Sequence, residues 1–211
     1  MRHARLRGRP IALFCILLIA GCVGGGPAVV EVPDVDPEEA AAEALDIYDK
    51  DGDGALAGAE LEQVPAIQSS LNQYDKDGDQ RVSQAELAQR IDAFYTAGLG
   101  LSPVDAVVKL DRVPLDGATV RLEPEPFLGD AVKPAEGVTD RAGMARIAVP
   151  DELLPEEQRG LNAMQVGIYK VRITHPSRKI PAKYNEQTTL GFELDPKNVS
   201  ATTPTFDLTS R

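Results

Sequence analysis

Asp49-Lys50-Asp51-Gly52-Asp53-Gly54-Ala55-Leu56-Ala57-Gly58-Ala59-Glu60 and Asp75-Lys76-Asp77-Gly78-Asp79-Gln80-Arg81-Val82-Ser83-Gln84-Ala85-Glu86 are two copies of one twelve-residue pattern. Each places Asp at positions 1, 3 and 5, an apolar residue at 8 and Glu at 12. The repeat extends upstream. Ala41, Leu45 and Tyr48 stand before the first copy at i, i+4 and i+7, and Ile67, Leu71 and Tyr74 repeat that spacing before the second. Each triplet predicts an apolar stripe on a helix that runs into an acidic loop. Asp36-Pro37-Glu38-Glu39 reads as the start of the first helix, with Asp36 as cap and Pro37 at the first helical position. Leu87, Ile91 and Phe94 predict a helix leaving the second loop, stopped by Gly98, whereas Pro65 shortens the helix that leaves the first.

Both loops resemble the EF-hand, with the match covering roughly Asp36 to Gly98. The resemblance implies two bound Ca2+ ions, a hard cation that takes about six to eight oxygens at about 2.3 to 2.6 Å. It implies Asp49, Asp51, Asp53 and Glu60 as side-chain ligands in the first loop, and Asp75, Asp77, Asp79 and Glu86 in the second. Position 7 gives its carbonyl, so Ala55 and Arg81 complete the sets. Leu56 and Val82 at position 8 are expected to meet in a short two-stranded ladder. Gln80 replaces the usual glycine at position 6, where a left-handed turn costs a side chain about 1 kcal/mol. Ser83 at position 9 can hold a water or an ion, and Ala57 can only leave room for one. Dockerins also pair calcium loops, but they lack such entering helices and usually end their loops with Asp.

From Ser102 the apolar period changes to two. Val104, Ala106, Val108 and Leu110 alternate with mostly polar residues, and Ala118, Val120 and Leu122 do so again. Further candidate strands are Ala145 to Val149, Tyr169 to Ile173, Leu190 to Leu194 and Phe206 to Leu208, separated by turn residues such as Asp140 to Gly143. The expected fold class is therefore two domains: an all-α EF-hand pair over 36–98, then an all-β antiparallel sandwich over 102–211. Asp151 to Gly160 reads as a short helix or a solvated loop. Val107-Val108-Lys109-Leu110, Pro114 to Val120 and Gly167 to Val171 resemble carboxypeptidase regulatory-like and Cna-B-type modules. That resemblance implies a transthyretin-like sandwich of about seven strands with no catalysis. Some such modules join Lys to Asn; Lys109 and Asn198 could correspond, but Ile173 stands where the assisting acid is expected.

At the other end, Arg2, Arg5, Arg7 and Arg9 precede an apolar run from Ile11 to Ala20. The run is shorter than the roughly 20 residues of a transmembrane helix and reads as an export signal over 1–21. Ile19-Ala20-Gly21-Cys22 resembles a bacterial lipobox, which implies lipidation of Cys22 and a flexible tether over 22–35. Val23 after the cysteine implies outer-membrane sorting in a diderm envelope. Removing the signal takes four arginines and no acids from a formal charge of −11, leaving −15. Such a surface repels nucleic acid and attracts divalent cations. His175 is the one histidine beyond the signal, and no cysteine follows Cys22. With no His-Glu-His set, Cys–His pair or serine elbow, an enzyme is not expected. The sequence thus reads as a calcium-binding, membrane-anchored lipoprotein with a structural or interaction role, partnered by the membrane and an unidentified protein or envelope component. A calcium sensor that opens a groove to a protein partner is the alternative.

Overall fold

The structure is a computed structural model and describes residues 31–98, 100–195, 197 and 202–211. The expected signal, Cys22 and most of the expected tether lie outside these residues, as does Asn198. Helix α1 spans Pro37–Tyr48. Its start follows the sequence: Asp36 Oδ1 accepts from the Glu38 and Glu39 N–H groups, both at 3.0 Å, and Pro37 lacks the donor that the first turn would leave unpaired. The first acidic loop leads into β1 (Ala55–Leu56), and three short helices follow: α2 (Gly58–Leu61), α3 (Pro65–Ser69) and α4 (Leu71–Tyr74). The second loop leads into β2 (Val82–Ser83) and α5 (Gln84–Tyr95). Gly98, at φ +73°, ends the helical stretch in the left-handed conformation expected of it.

The chain then forms β3 (Leu101–Ser102), β4 (Val104–Leu110), β5 (Val113–Pro114), β6 (Thr119–Pro124), β7 (Ala135–Val138) and β8 (Met144–Ile147). It continues through β9 (Met164–Gln165), β10 (Gly167–Thr174), β11 (Gly191–Leu194) and β12 (Thr205–Leu208). One four-stranded sheet has the order β11-β10-β6-β7, and a second holds β12, β4 and β5, with β8 also paired to β4. Alternate residues of β4 (Val104, Ala106, Val108) and of β6 (Val120, Leu122) are buried, as their period predicted. Asp151 to Gly160 holds two short 3-10 turns, Asp151–Leu153 and Glu156–Gln158.

Three expectations are corrected. The helical stretch is not an all-α domain: it contains the β1–β2 ribbon, and its apolar residues join those of the sheets in one hydrophobic core. The sheets are not wholly antiparallel either, because β12 runs parallel to β4, with Thr205 beside Val107 and Leu208 beside Leu110. The chain passes from β11, at an edge of one sheet, to the edge of the other. Finally, the helix expected before the second loop is interrupted at Ser70, whose φ and ψ of −112° and 19° separate α3 from α4.

The reason for the shared core is local. Helix α3 packs on β10 and β11, with Ala66 and Ile67 fully buried. At Gly191 of β11 the approach is backbone to backbone: a Cβ there would lie 2.0 Å from the Ala66 nitrogen and 2.4 Å from its Cα. Only glycine permits that distance. Gly191→Ala is therefore expected to destabilise the whole chain by about 3 kcal/mol, the upper range for forced overpacking. A lowered urea midpoint with an unchanged slope would register it.

Candidate metal centre

Two turns of identical design bring the acidic residues together. In the first, Asp49 Oδ1 accepts from Gly52 N at 2.7 Å and Asp49 Oδ2 from Gly54 N at 2.9 Å. In the second, Asp75 accepts from Gly78 N at 2.6 Å and Gln80 N at 2.9 Å. Asp51 and Asp53, like Asp77 and Asp79, each accept from the N–H two residues on. Local Asx turns of this kind fix the wrap of the loop before any ligand is considered. Gln80 has φ +66° where Gly54 has +86°, so the left-handed turn expected at position 6 is made with a side chain in place.

Each loop is closed from its far end by its glutamate. Glu60 Oε1 accepts from Lys50 N at 2.8 Å and Oε2 from Ala57 N at 3.0 Å. Glu86 does the same with Lys76 N at 2.8 Å and Ser83 N at 2.9 Å, and it also accepts from the Ser83 hydroxyl at 2.8 Å. Glu86 thus caps α5 and closes the loop with one carboxylate. Burial pushes its carboxyl up, but the N–H groups of Lys76 and Ser83, the Ser83 hydroxyl and the Asp77 N–H together bring it below the usual range. Leu56 pairs with Val82 in the ladder, and Ala55 with Ser83. Both apolar residues are fully buried.

The two sets converge unequally. Asp49, Asp51 and Asp53 bring one carboxylate oxygen each within 4.8 Å of one another, and in the second loop Asp75, Asp77 and Glu86 do so. Glu60 and Asp79 stand outside those two clusters, while Ala55 and Arg81 lie in or beside the ladder. Oxygen donors alone, with each carboxylate atom keeping a lone pair beside its N–H bond, suit a hard divalent ion. One contact was not legible from the loop pattern. Arg81 crosses to Asp53 of the first loop at 2.5 Å, and this bond holds the Asp53 carboxyl below its ordinary range.

The sequence reading also missed two groups behind the loops. Tyr48 and Tyr74, the residues just before the first Asp of each loop, send their hydroxyls into the β-half of the chain. Tyr48 donates to Glu125 Oε2 at 2.8 Å, and Lys170 stands 3.5 Å from the same oxygen. Tyr74 donates to Glu193 Oε2 at 2.6 Å, and Glu193 is also paired with Arg90, which reaches Asp195 at 3.0 Å. Burial, then the neighbouring glutamate charge, pushes both tyrosines far above their ordinary value, so both keep the proton they donate. The available signal was a polar hydroxyl at the same place on two buried helical stripes.

Elsewhere, His175 is a turn residue: its Nε2 meets the Asp116 carbonyl at 2.9 Å and its Nδ1 accepts from Ser177 and Arg178 N. Lys179 to Asn185 packs on the β-half through Ile180 and Tyr184 and is held by Thr209, which donates its N–H to the Tyr184 hydroxyl. Lys109 lies 3.8 Å from Asp207. No helix among the described residues is long and apolar enough to cross a membrane.

Glu125 and Glu193 give the molecule a pH dependence opposite to the usual carboxylate one. Burial raises both above their ordinary value of 4.5, against Lys170 and Tyr48 for the first, and against Tyr74 and Arg90 for the second, where Asp195 adds a further upward push. The folded state then holds the proton more tightly than the unfolded chain, so this contribution is complete below about pH 4.5 and is lost as pH rises through the raised values. In chelator, urea melts are expected to show stability falling over that window. The double variant Glu125→Gln, Glu193→Gln should flatten the slope; an unaltered slope contradicts the assignment.

Searches against protein-family models, curated proteins and solved structures found no match to the chain.

Proposed function

We propose that this chain binds two calcium ions in an EF-hand pair and serves as a structural or interaction module of a bacterial envelope, anchored through lipid on Cys22. The observation that carries the reading is the double closure. In each loop the first Asp and the final Glu are drawn to the same turn by backbone N–H groups, and the loops are joined through Leu56 and Val82. Asp49, Asp51, Asp53 and Glu60 would hold one ion, with the carbonyl of Ala55. Asp75, Asp77, Asp79 and Glu86 would hold the other, with the carbonyl of Arg81. Calcium supplies charge neutralisation there: the carboxylates of each loop repel one another, and a divalent cation removes that cost.

The transthyretin-like reading of the β-half is supported by its alternating burial and its two four-stranded sheets. We take it as the part that projects from the membrane toward an envelope partner. The acidic surface disfavours nucleic acid, and the lipobox and Val23 favour the outer membrane of a diderm cell. A sensor that opens a groove is the weaker reading, because the inner faces of α1, α3 and α5 already lie in the common core.

Calorimetric titration of calcium into the purified chain is expected to give two sites, with dissociation constants of about 10⁻⁵ to 10⁻³ M. Glu60→Gln and Glu86→Gln should each remove or weaken one site by about tenfold or more. Calcium at about a hundredfold over its dissociation constant should add about 2.7 kcal/mol of stability per site. Melting points that coincide in calcium and in chelator contradict the reading.

A further inference from the structure

The tyrosine contacts repeat with the loops. Tyr48 adjoins Asp49 and Tyr74 adjoins Asp75, and in each case the following Asp N–H closes the helix, onto Leu45 O at 2.9 Å and Leu71 O at 2.8 Å. Each tyrosine hydroxyl ends on a glutamate of the β-half, each glutamate also meets a cation, and each cation lies over the ring of its tyrosine. Lys170 Nζ is 5.1 Å from the centre of the Tyr48 ring, and the Arg90 guanidinium is 5.7 Å from that of Tyr74. The cations come from different places, Lys170 from β10 and Arg90 from α5. The same arrangement is therefore built twice, its tyrosines from the repeat and its glutamates and cations from unrelated parts of the sequence.

These ties sit where polar groups are expensive. Glu125 is fully buried, and its Oε1 has no hydrogen-bond partner among the described residues. A buried carboxylate with an unmet oxygen is commonly less stable than apolar packing of equal volume. Besides Lys170, the group meets Tyr48, the last residue of the helix that enters the first loop.

We propose that the β-half is the resident target of the loop pair: Tyr48–Glu125 and Tyr74–Glu193 carry the state of each loop into the sheet. Ion occupancy and the seating of the helices on β10 and β11 are then a single linked equilibrium. The proposal rests on the calcium reading of the loops. Filling a loop fixes its first Asp, hence the end of its entering helix, hence the tyrosine hydroxyl and the glutamate that receives it. By linkage, firm seating of that hydroxyl tightens the ion by the same factor. In a calcium sensor the same helix faces would be exposed to an outside partner. Here the chain supplies its own.

The test combines two readouts on the full-length protein in detergent micelles, with calcium chloride or chelator. Calorimetry reports whether the loops take the ion, and amide hydrogen exchange reports which segments respond. In the unaltered protein, calcium should slow exchange about tenfold or more in Val171 and in Phe192 to Leu194, as well as in the Leu56–Val82 ladder. The near-isosteric double variant Tyr48→Phe, Tyr74→Phe should still bind calcium, about fivefold or more weakly, with the ladder responding and the sheet no longer doing so. Calcium heats with a responding ladder and an unresponsive sheet in the unaltered protein would overturn the proposal while leaving the loop reading intact; that arm needs no variant to fold. A double variant with unchanged affinity and an unchanged sheet response would overturn it equally. Absence of any binding heat would remove the loop reading and this proposal together.

Discussion

The backbone contact between Gly191 and the Pro65–Ala66 segment sets the relation between the two halves of the chain. It lies midway between the loops, on the short link that joins them, and it brings that link to the edge strand of a sheet assembled from distant residues. With the link seated, Ile67 and Val64 are excluded from water, and the apolar stripes of α1 and α5 close over the same interior. Burial at about 25 cal/mol per Å2 drives this joining. The glycine decides where it can happen.

Around that contact the polar ties are distributed with the period of the loops. Tyr48 is the last residue of α1 and Tyr74 the last of α4, and each finds a carboxylate on a different strand or strand end. Such groups add little net stability, because removing charge from water offsets most of the attraction. Their contribution is geometric: each ties the end of an entering helix, one residue before Asp49 or Asp75, to the β-half. The loops are held by backbone N–H groups from within and by the sheet from behind.

Much of this was readable from residue order. The cap at Asp36 and the left-handed positions 6 depend on neighbours within a dozen residues, and the ladder at Leu56 and Val82 follows from the repeat of the loop pattern, so local pattern and its repetition sufficed. The alternation of Val104 to Val108 likewise marked a strand with one buried face. The division into an all-α and an all-β domain failed for a different reason. An apolar helix stripe tells that something covers it, never what. Ala66 meeting Gly191, Tyr48 meeting Glu125 and Arg81 reaching Asp53 join positions that carry no mutual signature in a single sequence. The parallel entry of β12 was hidden in the same way, since alternation gives a strand its faces and leaves its direction open.

That parallel pairing has a mechanical meaning. Strands β4 and β12 lie near the two ends of the β-half and run side by side in the same direction. Tension applied between the start of β4 and the tail beyond β12 slides one strand along the other, so the Val107 to Leu110 rungs share the load instead of opening singly like a zip. Resistance to pulling is then set by the simultaneous rupture of those rungs, a property of the unfolding barrier and largely independent of equilibrium stability.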